Sequence, residues 1–218
     1  MEFVEAIKRP FSDWKKLLIA ALMYMIPLIS IVTQFFGVGY LLECGKTAMK
    51  KTAKLPEWTD WGNLFVKGLV AFIISAIYFM PTVILILIVA GTTILTGFSV
   101  QNLGVLIGSL GVGMLLVLVV GIITAYVLPV AILTYASKGG FGSAFALKEV
   151  FAKAFTGQYL VAWLLSAVAG VVVMMVAGYL SALLALTFVL PLILSGLATA
   201  ISGIIAMTLL GEAVGSAK

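Results

Sequence analysis

From Gly68 to Ser137, and again from Ala154 to Gly211, the chain carries no charged side chain. A soluble fold cannot leave stretches of that length without charge, because their outer surfaces would have to face water. Overall, 63% of residues are hydrophobic and 10% charged, against about 45–50% and about 25% in soluble domains. A hydrocarbon core of about 30 Å takes about 20 residues of helix. Each charge-free run therefore holds two spans and a turn. The expected fold class is all-α: a polytopic helical membrane bundle, one integral domain over residues 1–218.

Apolar segments fall at 17–42, 64–90, 104–137, 158–178 and 180–210. Gly91 to Gly104, with Thr92, Thr93, Ser99, Gln101 and Asn102, supplies the first turn. Gly178-Tyr179-Leu180-Ser181 supplies the second. Basic residues decide between topologies for 17–42, since cytoplasmic loops collect Lys and Arg. If 17–42 crosses once, the 13 basic residues divide nine against four. If it enters and returns as a re-entrant hairpin broken around Pro27 to Gly39, all 13 fall on one face. The returning arrangement is preferred over a single span. It gives four full spans in a multi-pass cell-membrane protein with both termini cytoplasmic. A cleaved signal peptide is not expected, because the first 16 residues mix both signs of charge.

Two segments read as amphipathic helices lying on the membrane. In 1–16, Val4, Ile7, Phe11, Trp14 and Leu18 recur at steps of three and four. Glu5, Lys8, Arg9, Ser12, Asp13, Lys15 and Lys16 occupy the other faces, and Pro10 interrupts the helix so that a new one starts near Ser12. In 141–156, Phe141, Ala144, Phe145, Leu147, Val150, Phe151, Ala154 and Phe155 form one side and Lys148, Glu149, Ala152 and Lys153 the other.

A short pattern repeats: Phe11-Ser12-Asp13-Trp14 is echoed by Trp58-Thr59-Asp60-Trp61. Both look like helix starts at an interface. Ser12 or Thr59 can cap free N–H groups, Asp13 or Asp60 complements the positive helix end, and Trp14 or Trp61 anchors at headgroup depth. Glu57, Trp58, Asp60 and Trp61, with Trp14, form the candidate interfacial motif. Capping and anchoring are preferred over a gating or partner-binding role. Thr33 and Gln34, with Pro27, mark the hairpin tip and could line a pore, or Gln34 could serve carbonyls freed by the break. Glu43 is expected to pair with Lys46. Pro81, Pro129 and Pro191 each follow an aromatic residue by three and read as hinges, or, by preference, as ordinary prolines of membrane helices.

Pro56-Glu57-Trp58-Thr59-Asp60-Trp61, with Lys8-Arg9-Pro10-Phe11 and Gly39-Tyr40-Leu41-Leu42, resembles an uncharacterised membrane-protein family known as domain of unknown function 4013. The resemblance supports the helical membrane fold and implies no activity. Asn63 stands where the family leads one to expect an acidic residue.

Enzymatic chemistry finds little to build on. The chain has no histidine and a single cysteine, Cys44, so the commonest general base and metal ligand are missing and no disulfide can form within it. No catalytic residue, cofactor or metal is expected, and the clustered charges suit headgroups rather than nucleic acid. The expected function is non-catalytic: organising membrane lipid, with anionic headgroups on the basic face, or a membrane-protein partner. The alternative is a channel or carrier for a neutral or lipid-like solute. Small residues at Gly104, Gly108, Gly111 and Gly113, and at Ser195, Gly196, Thr199, Ala200 and Gly203, would let helices approach closely, within one chain or in a homo-oligomer.

Overall fold

A computed structural model describes residues 3–25, 30–52, 54–97, 103–184, 187 and 189–217. Among these the regular structure is helical: α1 (Phe3–Lys8), α2 (Trp14–Met25), α3 (Ser30–Met49), α4 (Trp61–Gly97), α5 (Leu103–Lys138), α6 (Leu147–Ala154), α7 (Gly157–Leu183) and α8 (Val189–Ser216). Short 3-10 turns at Arg9–Ser12 and Phe141–Phe145 complete it. Four helices, α4, α5, α7 and α8, are long and apolar enough to cross a membrane. Even α7, with 27 residues, runs about 40 Å at 1.5 Å per residue.

The four expected spans are present; α4, α5 and α7 run longer than their turn signals implied, and α8 starts and ends later than expected. The turn expected at Gly178–Ser181 is not there: α7 continues to Leu183, where the Leu184 N–H closes on the Leu180 carbonyl, and α8 begins at Val189. Glycine and serine weaken a helix in water. In hydrocarbon the backbone has no water to turn to, so isolated small residues do not end it. Thr92 and Thr93, also expected in a turn, lie inside α4 with their hydroxyls donating to the Val89 carbonyl. The Ser99, Gln101 and Asn102 part of that turn lies outside the described residues. Pro81 and Pro129 stand inside α4 and α5. Pro191 instead occupies the first turn of α8, where a missing N–H leaves nothing unpaired, so it opens a helix rather than hinging one.

Residues 17–42 do not form one rod. α2 and α3 are separate helices packed against each other, joined by residues that include Pro27 and lie outside those described. The Thr33 hydroxyl donates to the Met23 carbonyl at 2.9 Å, satisfying an acceptor at the end of α2. Thr33, rather than Gln34, thus serves the freed carbonyl, while Gln34 is exposed on α3. Tyr24 lies against Gly37. Leu17, at the start of α2, shares a buried cluster with Tyr40 and Cys44 near the end of α3. The segment therefore returns to the end of the bundle from which it left.

α3 is the hub. It packs on α4 through paired close approaches: a methyl group on Gly39 would overlap the Leu64 carbonyl oxygen, and one on Gly68 the Phe35 carbonyl oxygen. On its other side Gly211 of α8 lies against the Gly45 backbone. Small residues at such crossings let backbones approach to dispersion distance, which drives association where lipid removes the usual hydrophobic force. Of the small residues singled out in sequence, Gly196 meets the Ala21 carbonyl, Gly203 meets Leu41 and Gly113 meets Val89, whereas Gly108 and Gly111 face open space.

Both amphipathic segments are docked rather than laid flat. The N-terminal one has its faces reversed: Val4, Ile7, Phe11, Trp14 and Leu18 are exposed, while Ala6, Arg9 and Pro10 are buried. In the second, Ala144, Val150 and Ala154 are buried and Phe145 packs against the core beside Tyr78, while Phe141, Leu147, Phe151 and Phe155 face out. Tyr78 of α4 and Tyr126 of α5 fix this segment by donating to the Ala144 and Ala154 carbonyls, each at 2.6 Å. Aliphatic and aromatic residues on the outside are not anomalous when the outside is lipid.

Candidate functional site at the charged end

The returning hairpin gathers the chain's charge. Lys16 at the start of α2 meets Glu57 in the loop before α4, and Glu43 of α3 pairs with Lys67 of α4. Gly215, near the end of α8, lies on Met49 at the end of α3. Lys138, closing α5, reaches Glu149 of α6. The start of α2 and the ends of α3, α5 and α8 thus share one end of the bundle with the start of α4. The residues between α2 and α3, between α4 and α5, and between α7 and α8 carry no charge.

Arg9 is the centre of this end. Only 3% exposed, its guanidinium donates from Nη1 to the Cys44 carbonyl (3.0 Å) and the Thr208 hydroxyl (2.8 Å). From Nη2 it donates to the Thr47 hydroxyl (2.7 Å) and the Lys54 carbonyl (3.2 Å). Among the described residues its Nε has no partner. One side chain thereby ties the N-terminal turn to α3, to the following loop and to α8. Burial pulls the guanidinium below its ordinary value, yet arginine stays charged in proteins. The sequence placed Arg9 on a solvated face; periodicity along a short helix carries no signal for neutral acceptors contributed from residues 44–54 and 208.

The Pro56–Trp61 motif divides by role. α3 ends in a Schellman motif: Thr52 N–H returns to the Thr47 carbonyl and Lys51 N–H to the Ala48 carbonyl, with Lys51 at φ 56°. The loop then folds back over α2. Trp58 is buried rather than anchored at an interface. It stacks on Tyr40 (4.0 Å between centroids, 9° between planes) and its Nε1 donates to the Lys16 carbonyl at 3.2 Å. Asp60 caps α4, accepting from Asn63 N–H at 3.1 Å, and Asp13 caps α2 from Lys15 and Lys16 N–H. The aspartates are thus the caps, while the Ser12 hydroxyl donates to the Arg9 carbonyl. These backbone donors, Lys16 first, hold the Asp13 carboxyl below the usual carboxylate range. Trp14 and Trp61 are exposed, as headgroup-level anchors would be.

Glu43, Glu57, Asp60, Asn63 and Lys67 line a recess of about 210 Å³. Its acids are engaged, Glu43 with Lys67 (not with Lys46) and Glu57 with Lys16. Among the described residues no group of three or more Asp, Glu, Cys or His side chains is placed to hold a metal ion. Glu149 is held below the carboxylate range by hydrogen bonds from Lys138 and then Lys153. Among the described residues Lys8, Lys15, Lys46, Lys50, Lys51, Lys54 and Lys148 make no ion pair; all but the half-buried Lys46 are exposed.

Four long apolar helices around a returning hairpin, with the charge at one end, define a multi-pass helical membrane protein. A family model described as a protein of unknown function (DUF4013) matches residues 22–182. The chain belongs to that family. No curated protein matches it, and no solved structure does. The matched range covers α3, the Pro56–Trp61 loop and three of the four long helices, and leaves out Arg9 and α8.

Proposed function

We propose that this protein is a non-catalytic membrane organiser whose charged end faces the cytoplasm and collects anionic lipid headgroups. The observation that carries this reading is the unpaired lysine set. Among the described residues, seven lysines without ion pairs share one end of the bundle. Exposed Trp14 and Trp61 stand at that end, at the depth where headgroups would lie. A lysine near an anionic membrane surface contributes about 1 kcal/mol of attraction, so several acting together give a marked lipid preference without any deep pocket. The acids at this end do not cancel the effect, because Glu43, Glu57 and Glu149 are committed to Lys67, Lys16 and the Lys138/Lys153 pair and basic residues outnumber acidic ones by 13 to 8.

The test is lipid enrichment around the full chain reconstituted in vesicles of mixed neutral and anionic lipid, read with spin-labelled lipids. Wild type should immobilise the anionic label in preference to the neutral one. A Lys46→Gln/Lys50→Gln/Lys54→Gln variant should lose most of that preference. Equal immobilisation of both labels by wild type would end the proposal, and solute-selective flux in the same vesicles would replace it with a carrier. Cysteines introduced at Ser12 and Thr59 should be labelled from the same side of the membrane; labelling from opposite sides would remove the returning topology on which the shared basic face depends.

A further inference from the structure

Gln34 of α3 is exposed, and among the described residues its carboxamide makes no hydrogen bond. Its depth makes that costly. α3 and α4 cross antiparallel, with Gly39 on Leu64 and Phe35 on Gly68, so Gln34 lies level with Leu69, eight residues beyond the exposed Trp61. At 1.5 Å per residue that is about 12 Å inside the headgroup-level tryptophan, where lipid tails offer an amide nothing to bond. Lys67, at nearly the same depth, escapes by reaching back to Glu43. The shorter glutamine side chain cannot follow it.

Helical periodicity sets the direction of the amide. Gln34, Leu41 and Gly45 fall on one stripe of α3, and Leu41 and Gly45 meet Gly203 and Gly211 of α8. Gln34 therefore looks towards α8. Val32, two residues away and 51% exposed, faces the opposite side, the one a second copy would reach. Yet α8 has turned towards α2 at this level, with Gly196 on the Ala21 carbonyl. The parallel register of Gly45 on Gly211 and Met49 on Gly215 puts Gln34 level with Ala200, beside Thr199 on the stripe of Gly196 and Gly203. Thr199 and Ser195 donate their hydroxyl protons to the Ser195 and Leu192 carbonyls, which leaves both oxygens as acceptors.

We propose that the notch between these diverging helices binds the hydroxyl of a neutral, membrane-dissolved lipid alcohol. The hydroxyl accepts from the Gln34 amide N–H and donates to the amide carbonyl or to Thr199 Oγ1, so that donor and acceptor are both satisfied. A phospholipid does not fit, because its charged head stays at the surface. An alcohol has one polar group to bury, and the amide meets it. The site draws nothing from the basic face and goes beyond the headgroup reading.

Photolabelling of the full chain in phosphatidylcholine nanodiscs tests it, with a long-chain alcohol bearing a diazirine beside its hydroxyl and adducts mapped by peptide mass spectrometry. Adducts should concentrate at 32–38 of α3 and 195–203 of α8. Unlabelled dioleoylglycerol and oleyl alcohol distinguish the two sources of such a hydroxyl, the stronger competitor naming the ligand. Their O-methyl ethers, with no proton to donate, should compete about five- to ten-fold less well, the worth of one hydrogen bond. Gln34→Leu, at a position already exposed, should lower labelling by a similar factor and leave the elution of the chain in detergent unchanged. Competition by neither alcohol, ethers as effective as alcohols, or labelling undiminished in Gln34→Leu would overturn the site. A wild-type dimer that Gln34→Leu turns into monomers would overturn it too, by assigning the amide to a second copy.

Discussion

The charged end and the outer half of the α4/α5 hairpin are built on opposite terms. At the charged end, Arg9, Trp58, Tyr40 and Leu17 are buried and bonded across segments far apart in sequence. Along α4 past Ile74 and α5 before Val127, the buried positions among the residues whose burial is described are Thr82, Gly113 and Thr124. Leu87, Val112, Met114 and Leu115 are each more than 60% exposed, beside an open apolar groove of about 860 Å³. The outer arm needs only to be helical and apolar, since lipid serves as its surroundings. The charged end must solve a packing problem, because polar backbone and a buried cation have to find partners there.

That contrast can be broken in graded steps. The largest effect belongs to the α3/α4 crossing. Gly39→Leu forces a side chain into the Leu64 carbonyl, backbone that cannot rotate away, and should cost ~4 kcal/mol or more. The expected readout is loss of a monodisperse peak in detergent; an unchanged peak would mean that α3 is not the hub. Next comes Arg9→Ala, which removes four hydrogen bonds and leaves the Thr47 and Thr208 hydroxyls and the Cys44 and Lys54 carbonyls without that donor. A loss of about 3 kcal/mol is expected, seen as a lower thermal midpoint by tryptophan fluorescence. Lys51→Gly has the opposite sign. It relieves a left-handed residue at φ 56° and should stabilise by up to about 1 kcal/mol, raising the same midpoint. Leu115→Ala, in the outer arm, sits at the bottom of the scale. It should shift stability by less than about 0.5 kcal/mol, and a shift of several times that would mean the arm is covered by something other than lipid.

Acid offers a milder probe of the charged end. Glu149 is held low by Lys138 and Lys153, so its contribution is present above the ordinary carboxylate range and is lost as pH falls through its depressed folded value. Protease access to the 138–156 segment should rise in that window and not at neutral pH.

The two regions also differ in how legible they were. Existence and type of the four long helices followed from charge-free length alone, whereas the lysines favoured a returning segment at 17–42 over a single span without deciding between them. Helix ends were legible near Ser12 and Thr59, although the caps expected from those hydroxyls are supplied by Asp13 and Asp60 instead. They were misplaced where glycine and serine sat in lipid, as at Gly178 and Ser181. The burial of Arg9 and Trp58 and the Glu43–Lys67 pairing depend on neighbours supplied from distant parts of the chain, and no local pattern announces them.

The sequence by itself determined that this chain dissolves in a membrane as helices with its charge at one end, because transfer free energy adds residue by residue along each segment. Tertiary structure alone decided which side chains meet at that end. Specific contacts there depend on the relative placement of α2, α3, α4, α7 and α8, and on backbone approaches such as Gly39 on Leu64, which exist only once the helices have packed.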